Sequence, residues 1–449
     1  MPSRSEVTYF GAGPAALPTP ILESATLALL NYNNTGVGLA EHSHRSPLAA
    51  EVLNSTKDSL RSLLSVPDTH EILFMQGGGT GEFAAVVYNL VGVWVERRRR
   101  KAEAELVATG VKKEDVDTKV LERLKQEIAE ELKLDYLVTG SWSLKASQEA
   151  VRLLGKDRVN IATDARTVSA DGKFNTIPPE ASWNLTSTKA EGGKGPAAFV
   201  YYCDNETVDG VEFPGFPERL AEGAGEEDEE RLVIADMSSN ILSRKVDVGR
   251  FAVIFAGAQK NVGLTGLTLL LIRRSLLPPH TPIPAPTLLH SLSLPVPPAI
   301  LSYPIISSAS SLYNTIPIFD VWVAGQVISS LLSRFGDLKV SGQEEVADSK
   351  ARLLYAALER WEGVYRIVVQ DKRVRSRMNI CFRVNPGDEA EKAFLKGAEE
   401  RGLLALKGHR SVGGIRISNY NAVSYEGAEK LSTYIDDFAD AATAKAGST

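Results

Sequence analysis

Short runs of continuous apolar residues recur along the chain, at residues 72–75, 136–138, 159–161, 198–203, 232–235, 252–255 and 267–272, with stretches of helical periodicity between them. A strand with one wet face alternates apolar and polar residues, whereas a run that does not alternate suits a strand covered on both faces. Buried strands separated by helical segments predict an α/β fold around a mostly parallel sheet, because parallel neighbours need a crossover long enough to hold a helix. After about residue 340 the texture changes to a helix at 347–361, strands at 365–369, 379–384 and 415–418, and helices at 389–401 and 425–439. This reads as a smaller α+β unit. The expected division is an N-terminal segment over residues 1–15, a large domain over 16–335 and a small C-terminal domain over 336–449.

Three stretches read as surface elaborations. Residues 96–135 hold eleven Lys/Arg against eleven Asp/Glu, so the Arg97 to Arg100 run sits in a neutral stretch and predicts a solvated charged helix. Residues 223–230 form a Gly/acidic loop, and residues 278–304 hold nine of the 22 prolines, which excludes a central helix or strand there.

Lys and Arg number 50 and Asp and Glu 56, a net charge of −6, so no nucleic-acid or anionic-lipid partner is expected. The longest apolar candidate, 262–272, is broken by Gly263 and Gly266 and falls short of the roughly 20 residues that span a bilayer. Two cysteines far apart, Cys203 and Cys381, suggest neither a disulfide framework nor a thiolate metal site. The N-terminus has no apolar leader core and the C-terminus no retention signal, so a cytoplasmic protein is expected.

Two apparent motifs fail on context. Gly11 to Ala16 fits the letters of the dinucleotide fingerprint, but Pro14 and Pro18 interrupt the following helix and Asn33 and Asn34 stand where its acid belongs. His42 and His44 lack the spacing of a metal-binding helix, and no metal is expected.

Three other features combine into one chemistry. Asp236 ends one predicted strand, and the next strand runs into Gln259 and Lys260. An acid and a lysine at the carboxyl ends of neighbouring parallel strands stand side by side at the sheet rim, where open α/β folds bind ligands. That is the arrangement a pyridoxal phosphate site requires: the lysine bonds covalently to the cofactor and the carboxylate pairs with its pyridine nitrogen. Alone, such a pair is more often structural than chemical. The second feature is Gln76 to Gly81, with Gly77, Gly78 and Gly79 between a strand and a helix, a turn that lets backbone N–H groups approach a phosphate and lacks the lysine of a nucleotide P-loop. Trp142, just after another strand, could stack on an aromatic cofactor or simply fill core. The third is a pair of cationic clusters, Glu41 to Ser46 and Gly408 to Arg416, whose forked arginines suit a substrate with an acid at each end.

With these residues in view the chain resembles the phosphoserine aminotransferases, fold-type I pyridoxal phosphate enzymes of the class V branch that act in serine biosynthesis. The matching blocks are FGAGPAALP from Phe10, EHSHRS from Glu41, GGGTGEF from Gly77, YYCDNETVDGVEF from Tyr201, ADMSSNILSR from Ala235, FAGAQKNVG from Phe255, NTIPIF from Asn314 and GHRSVGGIRISNYNA from Gly408. They span nearly the whole chain in the family's order. The resemblance implies that Lys260 is the covalent lysine and the acid/base at the substrate α-carbon, that Asp236 pairs with the pyridine nitrogen, that Trp142 stacks on the ring and that Thr207 bonds its 3-oxygen. Gly79, Thr80 and Gln259 would hold the cofactor phosphate, joined by Asn314 and Thr315 from the other subunit of a homodimer. Arg416 would bind the substrate α-carboxylate, and His44, Arg45, His409 and Arg410 the distal phosphate. The implied reaction is 3-phosphohydroxypyruvate plus L-glutamate giving O-phospho-L-serine plus 2-oxoglutarate, in two half-reactions.

The chain departs from the family's pattern at two places in the glycine turn. Thr80 stands where many bacterial members carry arginine, and Glu82 where glutamine is common. Another aminotransferase of the same fold would not need the doubled His-Arg cluster. A cysteine desulfurase would need a mobile thiol, and both cysteines lie inside apolar runs.

Overall fold

The structure is a computed structural model that describes residues 2–189, 191–221 and 230–446, so the acidic loop expected at 223–230 lies outside the described residues save Glu230. Its central element is a seven-stranded sheet in the order His70–Met75, Thr268–Arg273, Val253–Gly257, Val233–Asp236, Val200–Cys203, Leu134–Val138, Val159–Asp164. Six strands share one direction, and Thr268–Arg273 runs antiparallel to both its neighbours. Successive residues of the strands face opposite layers. Tyr202, Ala235 and Ile254 join one apolar cluster with the helices Pro47–Leu64 and Ile318–Phe335. Tyr201, Ile234 and Phe255 join another with Gly78–Ala108 and Ser141–Leu154. This two-sided burial is why the strands read as unbroken apolar runs.

The charged stretch differs from the single solvated helix expected. Its first part extends the helix Gly78–Ala108, and its second forms Lys113–Glu130, which packs against the first. Val116, Val120, Leu124 and Ile128 are buried along one face of that second helix, so the segment thickens the core. The charges pair across it, as between Arg98 and Glu131 at 2.7 Å and Arg123 and Glu105 at 2.6 Å. The proline-rich stretch contains a six-residue helix, Pro286–Ser291, with proline at its first position, where the missing N–H has no helical partner to lose.

Beyond the sheet lies a three-stranded antiparallel sheet, Tyr365–Ile367, Asn379–Val384 and Ile415–Ser418, with the helices Val340–Arg360, Asp388–Glu400 and Tyr425–Ala446. Ile380, Phe382, Phe394, Ile417 and Leu431 form its core, which also takes in Phe10. The strand Thr8–Tyr9 pairs in parallel with Leu403–Leu404, so the N-terminal segment is tied to this C-terminal layer. No helix among the described residues is long and apolar enough to cross a membrane.

Lys350 is fully buried in this layer and donates to the carbonyls of Tyr420 at 2.9 Å and Val423 at 2.7 Å. Burial, with the charge of Arg334, lowers its pKa from 10.5 to about 7. The folded state therefore gives up this proton near neutrality while the unfolded chain keeps it to higher pH. Stability gained by shedding the charge must then rise as pH climbs from about 7 toward 10.5, by at most about 5 kcal/mol. Chemical denaturation of wild type and Lys350→Met at pH 6.5 and pH 9 checks this: the stability difference should shift in favour of wild type at the higher pH.

Candidate active site

The carboxyl ends of the central strands open onto a cavity of about 330 Å³. Val233–Asp236 and Val253–Gly257 are adjacent and parallel, so Asp236 and Lys260 come to the same rim, as their spacing predicts. Lys260 is only 8% exposed and donates from Nζ to Thr207 Oγ1 at 2.8 Å. Burial pushes its ammonium below the usual lysine range, and the Asp236 charge opposes that shift. Burial likewise raises Asp236, against the hydrogen bonds it accepts from Ser238 N–H at 2.9 Å and Ser238 Oγ at 2.6 Å. Ser238 Oγ also accepts from the Gly257 N–H at 3.0 Å, which locks the two strand ends together.

The glycine turn enters the cavity through Gly78, Gly79 and Thr80 at the start of the helix Gly78–Ala108. Gly77 carries φ 118°, a backbone conformation that favours glycine, and this turns the chain from strand into helix. A Cβ on Gly79 would stand 3.7 Å from Asp236 Oδ2, so the phosphate-type cradle and the acid are close neighbours. Trp142 and Gln259 line the same cavity. The Trp142 Nε1 is buried without a hydrogen-bond partner among the described residues.

His409 and Arg416 complete the lining from the C-terminal layer. Arg416 Nη1 donates to the Thr207 carbonyl at 3.3 Å, and His409 Nδ1 lies 2.6 Å from Ser411 Oγ. Partial burial, then the charges of Arg416, Lys145 and Arg410, lower the His409 pKa. Such a cluster of cations about a histidine is arranged for an incoming anion.

Nine of the sequence-predicted residues, Gly79, Thr80, Trp142, Thr207, Asp236, Gln259, Lys260, His409 and Arg416, therefore meet in one cavity. Five do not line it. Arg410 and Arg45 are exposed, His44 is half-buried with its Nε2 without a hydrogen-bond partner among the described residues, and Asn314 and exposed Thr315 lie at the entry to the helix Ile318–Phe335, where Asn314 Nδ2 donates to Gln76 Oε1. Sequence reading missed Ser238, and it missed Glu206 and Asp209, which hold the helix Ser141–Leu154 from below. Both acids stand in the quoted block from Tyr201, but only the fold shows what they reach.

A family model described as Aminotransferase class-V matches residues 7–110 and 166–431. The phosphoserine aminotransferase of Saccharomyces cerevisiae is 40% identical over 438 residues, 97% of this chain and 98% of that one. The phosphoserine aminotransferase of Drosophila melanogaster is 38% identical over 95% of this chain and 96% of its own. The chain belongs to the phosphoserine aminotransferases of the class-V aminotransferase family. Among solved structures, the phosphoserine aminotransferase from Bacillus circulans subsp. alkalophilus superposes with a TM-score of 0.76 at 32% identity, covering 96% of this chain and 98% of that one. The PLP-bound phosphoserine aminotransferase from Trichomonas vaginalis superposes with a TM-score of 0.74 at 30% identity, covering 96% and 99%. The family model's gap, 111–165, contains the charged helix Lys113–Glu130, the element whose packing the charge balance concealed.

Proposed function

We propose that this chain is a phosphoserine aminotransferase that binds pyridoxal 5'-phosphate and transfers the amino group between glutamate and 3-phosphohydroxypyruvate, in L-serine biosynthesis. The observation that carries the reading is the meeting of Lys260, Asp236, Trp142, Thr207 and the glycine turn, drawn from five separate segments, in one cavity. The donor set fits the cofactor: a helix-start cradle with Gly79, Thr80 and Gln259 for the phosphate, a buried carboxylate for the ring nitrogen and an unpartnered indole edge beside them.

Bound, the cofactor supplies an aromatic electron sink at the substrate α-carbon. Lys260 is the acid/base that removes and returns the α-proton, and burial, which lowers its pKa, eases release of its own proton. Asp236 would pair with the ring nitrogen and keep it protonated, Thr207, which accepts from Lys260, would also meet the ring oxygen, and Arg416, held on the Thr207 carbonyl, would bind the α-carboxylate. His409 and Arg410, with His44 and Arg45, receive the distal phosphate or the γ-carboxylate, so one site serves both amino acids.

A homodimer completes this reading. His44, Arg45, Asn314 and Thr315 lie outside their own cavity, and the segment Leu39–Glu41 packs against the helix Ile318–Phe335. Leu27 and Leu30 of the adjoining helix Thr19–Leu30 are about 70% exposed, an apolar surface that suits a second copy of the chain. The unpaired, buried thiols of Cys203 and Cys381 support a reducing, cytoplasmic setting. The expected division into residues 1–15, 16–335 and 336–449 is kept as our reading of the domain plan.

Absorbance spectra of the purified protein test the function. A visible cofactor band should be bleached by phosphoserine and, separately, by glutamate. Bleaching by glutamate alone would overturn the distal-phosphate assignment, and no band after added pyridoxal phosphate would overturn the cofactor reading.

A further inference from the structure

Between the cavity residues Asn205 and Val208 the chain carries Glu206, fully buried and turned away from the cavity toward the start of the helix Ser141–Leu154. Its Oε2 accepts from the Trp142 N–H at 2.8 Å, and its Oε1 from the Ser143 N–H at 2.9 Å and Ser143 Oγ at 2.5 Å. Asp209 Oδ2 accepts from the Ser141 N–H at 2.7 Å. Two carboxylates thus take three successive backbone donors of one helix's first turn, a role usually filled by a single local cap. Gly140 leaves room for this: a Cβ there would lie 2.3 Å from the Glu206 side chain.

The same short segment also grips the other side of the site. Thr207 Oγ1 accepts from Lys260 Nζ at 2.8 Å, and the Thr207 carbonyl accepts from Arg416 at 3.3 Å. Residues 206–209 therefore form a crosspiece with Trp142 fastened to one face and the lysine and arginine to the other. Burial raises the pKa of both acids, and Asp209 raises Glu206 further, so a buried polar cluster is maintained here against its desolvation cost. A helix N-terminus alone could be capped by a local serine or aspartate, so two remote buried acids point to a requirement on position.

We infer that Glu206, assisted by Asp209, is a positioning residue that holds the Trp142 ring in register with Lys260 and Arg416, so that the stacking surface and the proton-transfer and carboxylate-binding groups move as one unit. The inference rests on the reading of Trp142 as the ring-stacking residue. Glu206 itself acts through Trp142.

The test is a cycle of Glu206→Gln, Trp142→Ala and the double variant, read by cofactor dissociation constant and by visible circular dichroism of the bound cofactor. Glutamine keeps the size of Glu206, but its NH2 must face either the Trp142 or the Ser143 N–H, donor against donor. Glu206→Gln is expected to weaken cofactor binding about tenfold, the equivalent of one lost cap, and to change the dichroic band. In the Trp142→Ala background the same substitution should add less than about twofold. A tenfold loss that persists undiminished in that background overturns the inference, as does a Glu206→Gln protein with wild-type affinity and dichroism. If Trp142→Ala by itself leaves cofactor affinity unchanged, the stacking role fails first, and the two failures are thereby separated. Glu206→Ala, which leaves two buried backbone donors without their acceptor, should lose the most stability, and in thermal melts of cofactor-free protein the glutamine variant should fall between it and wild type.

Discussion

Lys260→Ala protein is expected to fold normally and to turn over more than about 10⁴-fold more slowly than wild type, because covalent attachment and the α-proton relay are lost together. The fold should survive because the side chain sits in a cavity, makes one hydrogen bond to Thr207 and carries a charge that burial disfavours. Removing it relieves a desolvated ammonium and leaves the strand Val253–Gly257 and its ladder intact. Steady-state rates with phosphoserine and 2-oxoglutarate, alongside a thermal melt, check both halves. Turnover within tenfold of wild type would remove Lys260 from the mechanism; a collapsed melt would mean its role is structural.

The adjacency on which that prediction rests was legible in the sequence because parallel strands that follow one another are commonly neighbours, and the acid and lysine end two consecutive runs. The strands themselves were legible because both faces of the sheet are covered, which leaves no polar alternation to confuse them. The charged segment was misread for the opposite reason. Its balanced charge suggested solvent, while Val116, Val120, Leu124 and Ile128 recur every four residues and mark a buried face that charge counting ignores. Glu206 and Asp209 were out of reach on different grounds. Their partners, Trp142 and Ser141, lie 64 and 68 residues away, and nothing local distinguishes a remote cap from an ordinary buried acid. The antiparallel insertion of Thr268–Arg273 beside His70–Met75 is equally non-local, yet it brings Thr268 Oγ1 within 2.9 Å of the Gly78 N–H and so steadies the glycine turn.

Mixing two inactive proteins should restore activity. If Arg45 serves the cavity of the other subunit, a Lys260→Ala chain supplies a good Arg45, and an Arg45→Ala chain supplies a good Lys260. A heterodimer of the two then carries one complete site and one that lacks both groups. Random reassortment makes half the dimers hybrid, so co-expressed or co-refolded chains should recover about a quarter of wild-type activity from nearly none. If Arg45 instead serves its own chain, each site in the hybrid still lacks one group and mixing recovers nothing. The placement of the residues favours recovery. Arg45 is exposed, His44 beside it holds a buried ring nitrogen with no partner among the described residues, and neither lines the cavity that holds Lys260. The segment just before them, Leu39–Glu41, packs against the helices Thr19–Leu30 and Ile318–Phe335, and Leu27 and Leu30 of the first are exposed, which suits cover by a second copy. Light scattering should report twice the 48.6 kDa chain mass for both single variants, which separates a lost side chain from a lost dimer. A monomer that is nonetheless fully active would break the shared-site reading and leave His409, Arg410 and Arg416 of one chain to bind both ends of the substrate.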